Sequence, residues 1–73
     1  MDKEFSALQK QLAKNIKALR KASNLSQEAL ALQADVDRTY VSQLERGIAN
    51  PSLLALQKLA KVLKVKAVQL LLP

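Results

Sequence analysis

The chain has 73 residues, with 12 Lys and Arg against 6 Asp and Glu, a net charge of +6. That is enough for one small domain with a modest core, and the excess of positive charge favours a polyanionic partner. Cysteine and histidine are both absent, which excludes disulfides, Cys–His zinc fingers and histidine-based acid–base or metal chemistry. No signal-peptide pattern is present and no apolar run approaches the roughly 18–20 residues of a membrane span, so a soluble, cytoplasmic protein is expected.

With one Gly, two Pro and abundant Ala, Leu, Gln and Lys, the composition is all-helical. The first helix is expected over residues 5–22. Phe5, Leu8, Leu12, Ile16 and Leu19 recur at the 3–4 spacing of one helical face. Lys10, Lys14, Lys17 and Lys21 follow the same spacing on the opposite side. Those lysines read equally as part of a positive field or as a solvated face. Arg20 falls between the two faces, and Ser23-Asn24 break the helix.

The second helix starts at Ser26, whose hydroxyl can accept from a free N–H of the first turn. Glu28 suits the positive helix end, Leu30 and Ala31 point inward, and the helix ends near Ala34. Asp37 caps a third helix over residues 38–46, with Gly47 as its left-handed stop. Asn50-Pro51 is read as the start of a fourth helix, with Pro in the first turn and Leu53, Leu56, Leu59, Ala60 and Leu63 on its buried face. A fifth short helix is expected over residues 67–72.

Two short capped helices across a tight turn have the form of a helix-turn-helix, whose second helix enters the DNA major groove. On that helix Val41 and Leu44 define the inward direction. Thr39, Ser42, Gln43 and Arg46 project the other way, and Arg38 lies on the exposed first turn. Arg can grip guanine bidentately, Gln can pair with adenine, and Thr can touch the thymine methyl. A polar outer face alone is ordinary for a surface helix; the preceding capped helix and short turn give it weight. Gln27 opens the second helix, where unpaired N–H groups and the helix dipole make a phosphate seat. Arg20 and Glu45 lie at the edges of apolar faces on helices expected to pack together, and an ion pair fixing their angle is expected.

These residues resemble the Cro/C1-type (XRE-like) helix-turn-helix family of phage and bacterial repressors. The resemblance runs over residues 19–72. It rests on Arg20, the run Leu25-Ser26-Gln27-Glu28-x-Leu30-Ala31, Leu44-Glu45-x-Gly47, Asn50-Pro51-Ser52, and Leu59-Ala60-x-x-Leu63-x-Val65. It implies a compact five-helix bundle of the phage-repressor type that binds palindromic operators as a homodimer. Carried over position by position, it implies base contacts from Arg38, Thr39 and Gln43. It also implies backbone contacts from Gln27, Tyr40, Ser42, Arg46 and Asn50, with Gln27 bracing the recognition helix as well as gripping phosphate. Asp37-Arg38-Thr39-Tyr40-Val41-Ser42, with Glu45-Arg46-Gly47 and Asn50-Pro51-Ser52-Leu53, is similar more narrowly to the controller proteins of restriction–modification systems. The pattern departs at two places. Asp35 stands where the family has Gly, so a strained or reshaped turn is expected. Lys66 stands where a Ser, Thr or Asp caps the last helix, so that helix should fray or lean on a partner.

Leu54 and Val62 lie off the buried face of the fourth helix, and Val68, Leu70, Leu71 and Leu72 exceed what a short final helix can bury. The surplus at Leu54, Val62, Val68, Leu71 and Leu72 reads as a two-fold interface, against the alternative of scattered surface and core positions. Double-stranded DNA and a second copy are the expected partners, with no cofactor, metal, small-molecule ligand or membrane. Two other readings compete. One is an antitoxin-like module that docks a protein through the apolar C-terminal region. The other, a membrane-surface helix carrying Lys58, Lys61 and Lys64, conflicts with the need for that helix's apolar face in the core. Nothing converges on a reaction centre, so the chain does not read as an enzyme.

Overall fold

The first helix begins earlier than its apolar stripe. In the computed structural model, which describes residues 2–73, α1 spans Lys3–Ala22. Asp2 stays extended, and its Oδ1 accepts from the backbone N–H of Glu4 at 2.7 Å and of Phe5 at 3.2 Å. Two of the N-terminal donors are thereby paired, and the helix grows back to Lys3. Leu12, Ala13 and Ile16 are buried, but Leu8 is 49% exposed and Gln9 is buried in its place. Sequence periodicity placed Leu8 inward; the structure corrects this. The Gln9 Nε2 donates to the buried carbonyl of Ala49 at 2.7 Å. A loop carbonyl taken out of water needs a donor, and Gln9 supplies it across 40 positions of sequence.

Helix α2 spans Gln27–Ala34, with Ser26 Oγ accepting from Ala29 N–H at 2.9 Å. Helix α3 spans Arg38–Glu45, with Asp37 Oδ1 accepting from Thr39 N–H at 2.8 Å. Arg46, expected inside the helix, is its C-cap. Helix α4 spans Leu53–Leu63 and buries Leu56, Leu59, Ala60 and Leu63, but Leu53, placed on that face by its spacing, is 84% exposed at the first turn. Asn50-Pro51 does not start it: Ser52 is the cap, accepting from Ala55 N–H at 3.0 Å, and Pro51 stands one residue before. The expected fifth helix is a 3-10 turn, Ala67–Leu70, so the described residues form four α-helices and one turn rather than five helices. Lys66 has no side chain suited to accept a cap bond, yet its N–H is paired, donating to Gln69 Oε1 at 2.7 Å. Asn15 Nδ2 donates to the carbonyls of Leu70 at 2.8 Å and Leu72 at 2.7 Å. The segment is tied to α1 rather than frayed.

All four helices stop in the same way. Asn24, Asp35, Gly47 and Lys64 take a left-handed backbone, with φ of 57°, 56°, 74° and 61°. The next N–H then reaches back to an orphan carbonyl: Leu25 to Arg20, Val36 to Ala31, Ile48 to Gln43, and Val65 to Ala60. This is the Schellman closure. Asp35 therefore fits the turn between α2 and α3 without reshaping it. Lys64 gains nothing from its side chain in this conformation, whose cost for an L-residue is roughly 1–2 kcal/mol. Lys64→Gly is expected to raise stability by about 0.5–1 kcal/mol, after the extra chain entropy of glycine is subtracted. A urea midpoint that fails to rise would contradict it.

The core gathers Leu12, Ile16, Leu30, Ala31, Val41, Leu44, Leu56, Leu59, Leu63 and Leu70. Leu70, counted from sequence among the surplus apolars, is fully buried. α3 packs against both α1 and α2, while α2 also rests on α4. That leaves the far side of α3 open.

Candidate nucleic-acid interface

The outer face of α3 follows from its inner one. Val41 and Leu44 are buried, so at about 100° per residue Thr39, Gln43 and Arg46 fall on the opposite side. All three are exposed, as are Arg38 and Asn50, and Ser42 is half-buried. Gln27 at the start of α2 shares a polar recess with Arg38, Thr39 and Ser42. The helix start and the outer face thus form one continuous surface of donors and acceptors. Its backbone is held at both ends, by the Asp37 cap and the Gly47 stop.

Beneath that surface lies an ion pair. Arg20 Nε donates to Glu45 Oε2 at 2.6 Å and Arg20 Nη2 donates to Oε1 at 2.9 Å. Side-chain exposure is 11% for Arg20 and 4% for Glu45. This is the fork-on-fork geometry that makes guanidinium–carboxylate pairs directional. Arg20 Nη1 also donates to the Leu25 carbonyl at 2.8 Å. Gln27 Nε2 donates to Glu45 Oε1 at 3.2 Å. One carboxylate therefore ties α1, the start of α2 and the end of α3 together. Burial pushes the Glu45 carboxyl upward. Hydrogen bonds from Arg20 and Gln27, and the nearby charges of Arg20 and Lys17, more than reverse this and hold it below the usual range. The hydrogen bond to Glu45 raises the Arg20 pKa above its ordinary value, against the opposing effect of burial.

One residue is placed differently from the sequence reading. Tyr40 lies half-buried on the flank of α3 away from Glu45, with its hydroxyl buried and unpaired. Burial raises its pKa, against the opposing effect of the nearby Ser52 backbone. In this conformation the hydroxyl does not join the exposed row with Ser42 and Arg46. Gln27 spends one amide hydrogen on Glu45, so it braces the interface and has one donor left for an anion. Sequence periodicity gave no sign of the three-way link through Gln27. Ile48, 57% exposed just beyond α3, and Leu32, 81% exposed on α2, were also not singled out. Single exposed apolars carry no pattern signal.

Among the residues of the proposed two-fold interface, Leu54, Val68 and Leu72 are 65%, 57% and 51% exposed. Val62 and Leu71 are half-buried against the domain's own core.

A short capped helix, a tight turn and a second helix offering its polar face define a helix-turn-helix. The helix-turn-helix family model HTH_3 matches residues 16–70, and the chain belongs to that family. It is 49% identical over 49 residues to control protein C.BamHI of Bacillus amyloliquefaciens, covering 67% of this chain and 60% of that one. Two solved structures share its fold. One is the hypothetical transcription factor NHTF from Neisseria, with TM-score 0.87 and 47% identity, covering 90% of this chain and 76% of that one. The other is the restriction–modification controller protein C.AhdI from Aeromonas hydrophila, with TM-score 0.81 and 39% identity, covering 85% and 94%. The chain spans about 60% of the length of the first curated relatives it matches. No helix among the described residues is long and apolar enough to cross a membrane.

Proposed function

We propose that this protein is a sequence-specific transcription regulator of the restriction–modification controller type, binding a palindromic operator as a homodimer. The observation that carries the reading is the polar face of α3, exposed by the packing of Val41 and Leu44 and braced from below by the Arg20–Glu45–Gln27 link. Arg38, Thr39 and Gln43 are the base-reading residues. Gln27, Ser42, Arg46 and Asn50 hold the phosphate backbone, and Tyr40 joins them only by turning its hydroxyl outward. The exposed Leu54, Val68 and Leu72, with Val62 and Leu71 at the edge of the core, are the two-fold contact. Two such domains present their α3 helices to major grooves about one turn, roughly 34 Å, apart.

Selecting bound sites from a random duplex pool tests this directly. Enrichment of an inverted repeat with that half-site spacing supports the reading. No enrichment, or a monomer by sedimentation at tens of micromolar, overturns it. An antitoxin-like docking module would instead hold a protein partner at salt concentrations that release DNA.

A further inference from the structure

Helix α1 carries a row of charge that the helix-turn-helix does not use. Lys10, Lys14, Lys17 and Lys21 are all exposed, and residues 5–27 contain no Asp or Glu. Among the described residues, the ion pairs join Arg20 to Glu45 and Lys58 to Asp35. None involves the four lysines. A merely solvated helix face usually alternates its charge signs, because like charges at i,i+4 oppose the helix. Here Lys10 and Lys14, and again Lys17 and Lys21, repeat one sign at that spacing.

The packing fixes where this row lies. The end of α3 crosses the middle of α1: Arg20 binds Glu45, Gln9 binds the Ala49 carbonyl, and the Gln9 carbonyl is 3.9 Å from the position a side chain on Gly47 would occupy. On α1, at about 100° per residue, Gln9, Ala13 and Arg20 form the edge turned to α3. Lys17 and Lys10 are the next positions outward from that edge, and Lys14 and Lys21 lie further round. The Lys17 charge is felt by the Glu45 carboxylate. Lys10 and Lys17 therefore flank the α3 end that carries Arg46 and Ile48. They stand about 10 Å apart along the helix axis.

The geometry points to a second strip of DNA contact, in which Lys10 and Lys17 bind phosphates beyond the base pairs read by α3. The inference rests on the DNA-binding reading above and adds a footprint to it. Lys10 and Lys17 read no bases; they contribute affinity through counterion release and so depend on salt and on flanking duplex.

The test compares Lys10→Gln/Lys17→Gln with Lys61→Gln/Lys66→Gln, which removes the same charge from exposed positions of α4 and the segment after it. The probe is a duplex carrying the site enriched from the random pool, once with flanking base pairs and once trimmed to the half-sites. In the homodimer the two substitutions remove four phosphate contacts, two per protomer, so the dependence of log K on log salt should become shallower by about 3.6. The affinity loss should appear on the flanked duplex and vanish on the trimmed one, with the preferred sequence unchanged. The Lys61/Lys66 variant should keep the parent's slope. A parental slope in the Lys10/Lys17 variant overturns the inference, and so does an equal loss from both variants or an equal loss on both duplexes. Absence of any enriched site would instead remove the DNA-binding reading itself. Because the substitutions relieve like-charge pairs on an exposed face, both variants should fold as the parent does, which circular dichroism verifies.

Discussion

Alanine at Glu45 should lower the unfolding free energy by about 3 kcal/mol, at the low end of what breaking a buried ion pair costs. The loss is large because the Arg20 guanidinium, only 11% exposed, would keep its charge without its partner. A domain of this length has about 4–10 kcal/mol in total, so the variant would stand near the edge of folding. Arg20→Ala should cost a similar amount, since it strands the carboxylate and also frees the Leu25 carbonyl. The double variant should lose at least about 1 kcal/mol less than the sum, because each single change already removes the shared bonds. Near-additive losses in urea denaturation would rule out the coupling.

The same pair sets the acid limb of stability. The Glu45 carboxyl is held below its ordinary value in the folded protein, while the unfolded chain titrates near about 4.3. Between those values the unfolded state binds more protons, so stability rises with pH there. The contribution is complete above the unfolded-state value and is lost as pH falls through the folded one. Glu45→Gln should therefore be less stable than the parent at neutral pH and should show a flatter decline in acid. An acid limb identical to the parent's would place the titration elsewhere.

The helix-turn-helix was legible because its signals are local. Ser26 and Asp37 cap, Gly47 stops, and Val41 with Leu44 sets the facing, all within one or two turns of the residues they govern. Arg20 and Glu45 could be matched from sequence because each sits at the edge of a strong apolar stripe. What escaped depends on distant partners. Gln9 turns inward to answer a carbonyl 40 residues away, and periodicity has no means of ranking it above Leu8. Pro51 and Ser52 both carry helix-start signals one residue apart, and the hydroxyl decides the boundary because it can pair a free N–H. At the C-terminus, an apolar run of residues 67–72 is too short to define a period. The structure sets Ala67, Leu70 and Leu71 toward the core, and Ala67 with Leu70 keeps the i,i+3 spacing of a 3-10 turn. The carbonyls beyond bond to Asn15 rather than continuing a helix.

On DNA, Arg38→Ala and Gln43→Ala should each relax the sequence preference at one position of the half-site. A bidentate contact discriminates bases by about 1–3 kcal/mol, so the gap between preferred and altered sites should shrink by roughly 5- to 150-fold per substitution at 25 °C. Both side chains are exposed and neither takes part in the Arg20–Glu45–Gln27 link, so thermal stability should stay close to the parent's. Arg46→Ala should behave differently. Sitting at the C-cap of α3 rather than on its leading turn, Arg46 is placed to meet a phosphate. Its loss, one phosphate contact in each protomer of the dimer, should weaken all sequences alike and make the salt slope shallower by about 1.8. The contrast is the decisive part: two substitutions change which site is chosen, and one changes only how tightly any site is held. If the Arg38 and Gln43 variants discriminate cognate from random duplex as well as the parent does, α3 is not the reading helix. In that case the exposure of its polar face has another cause.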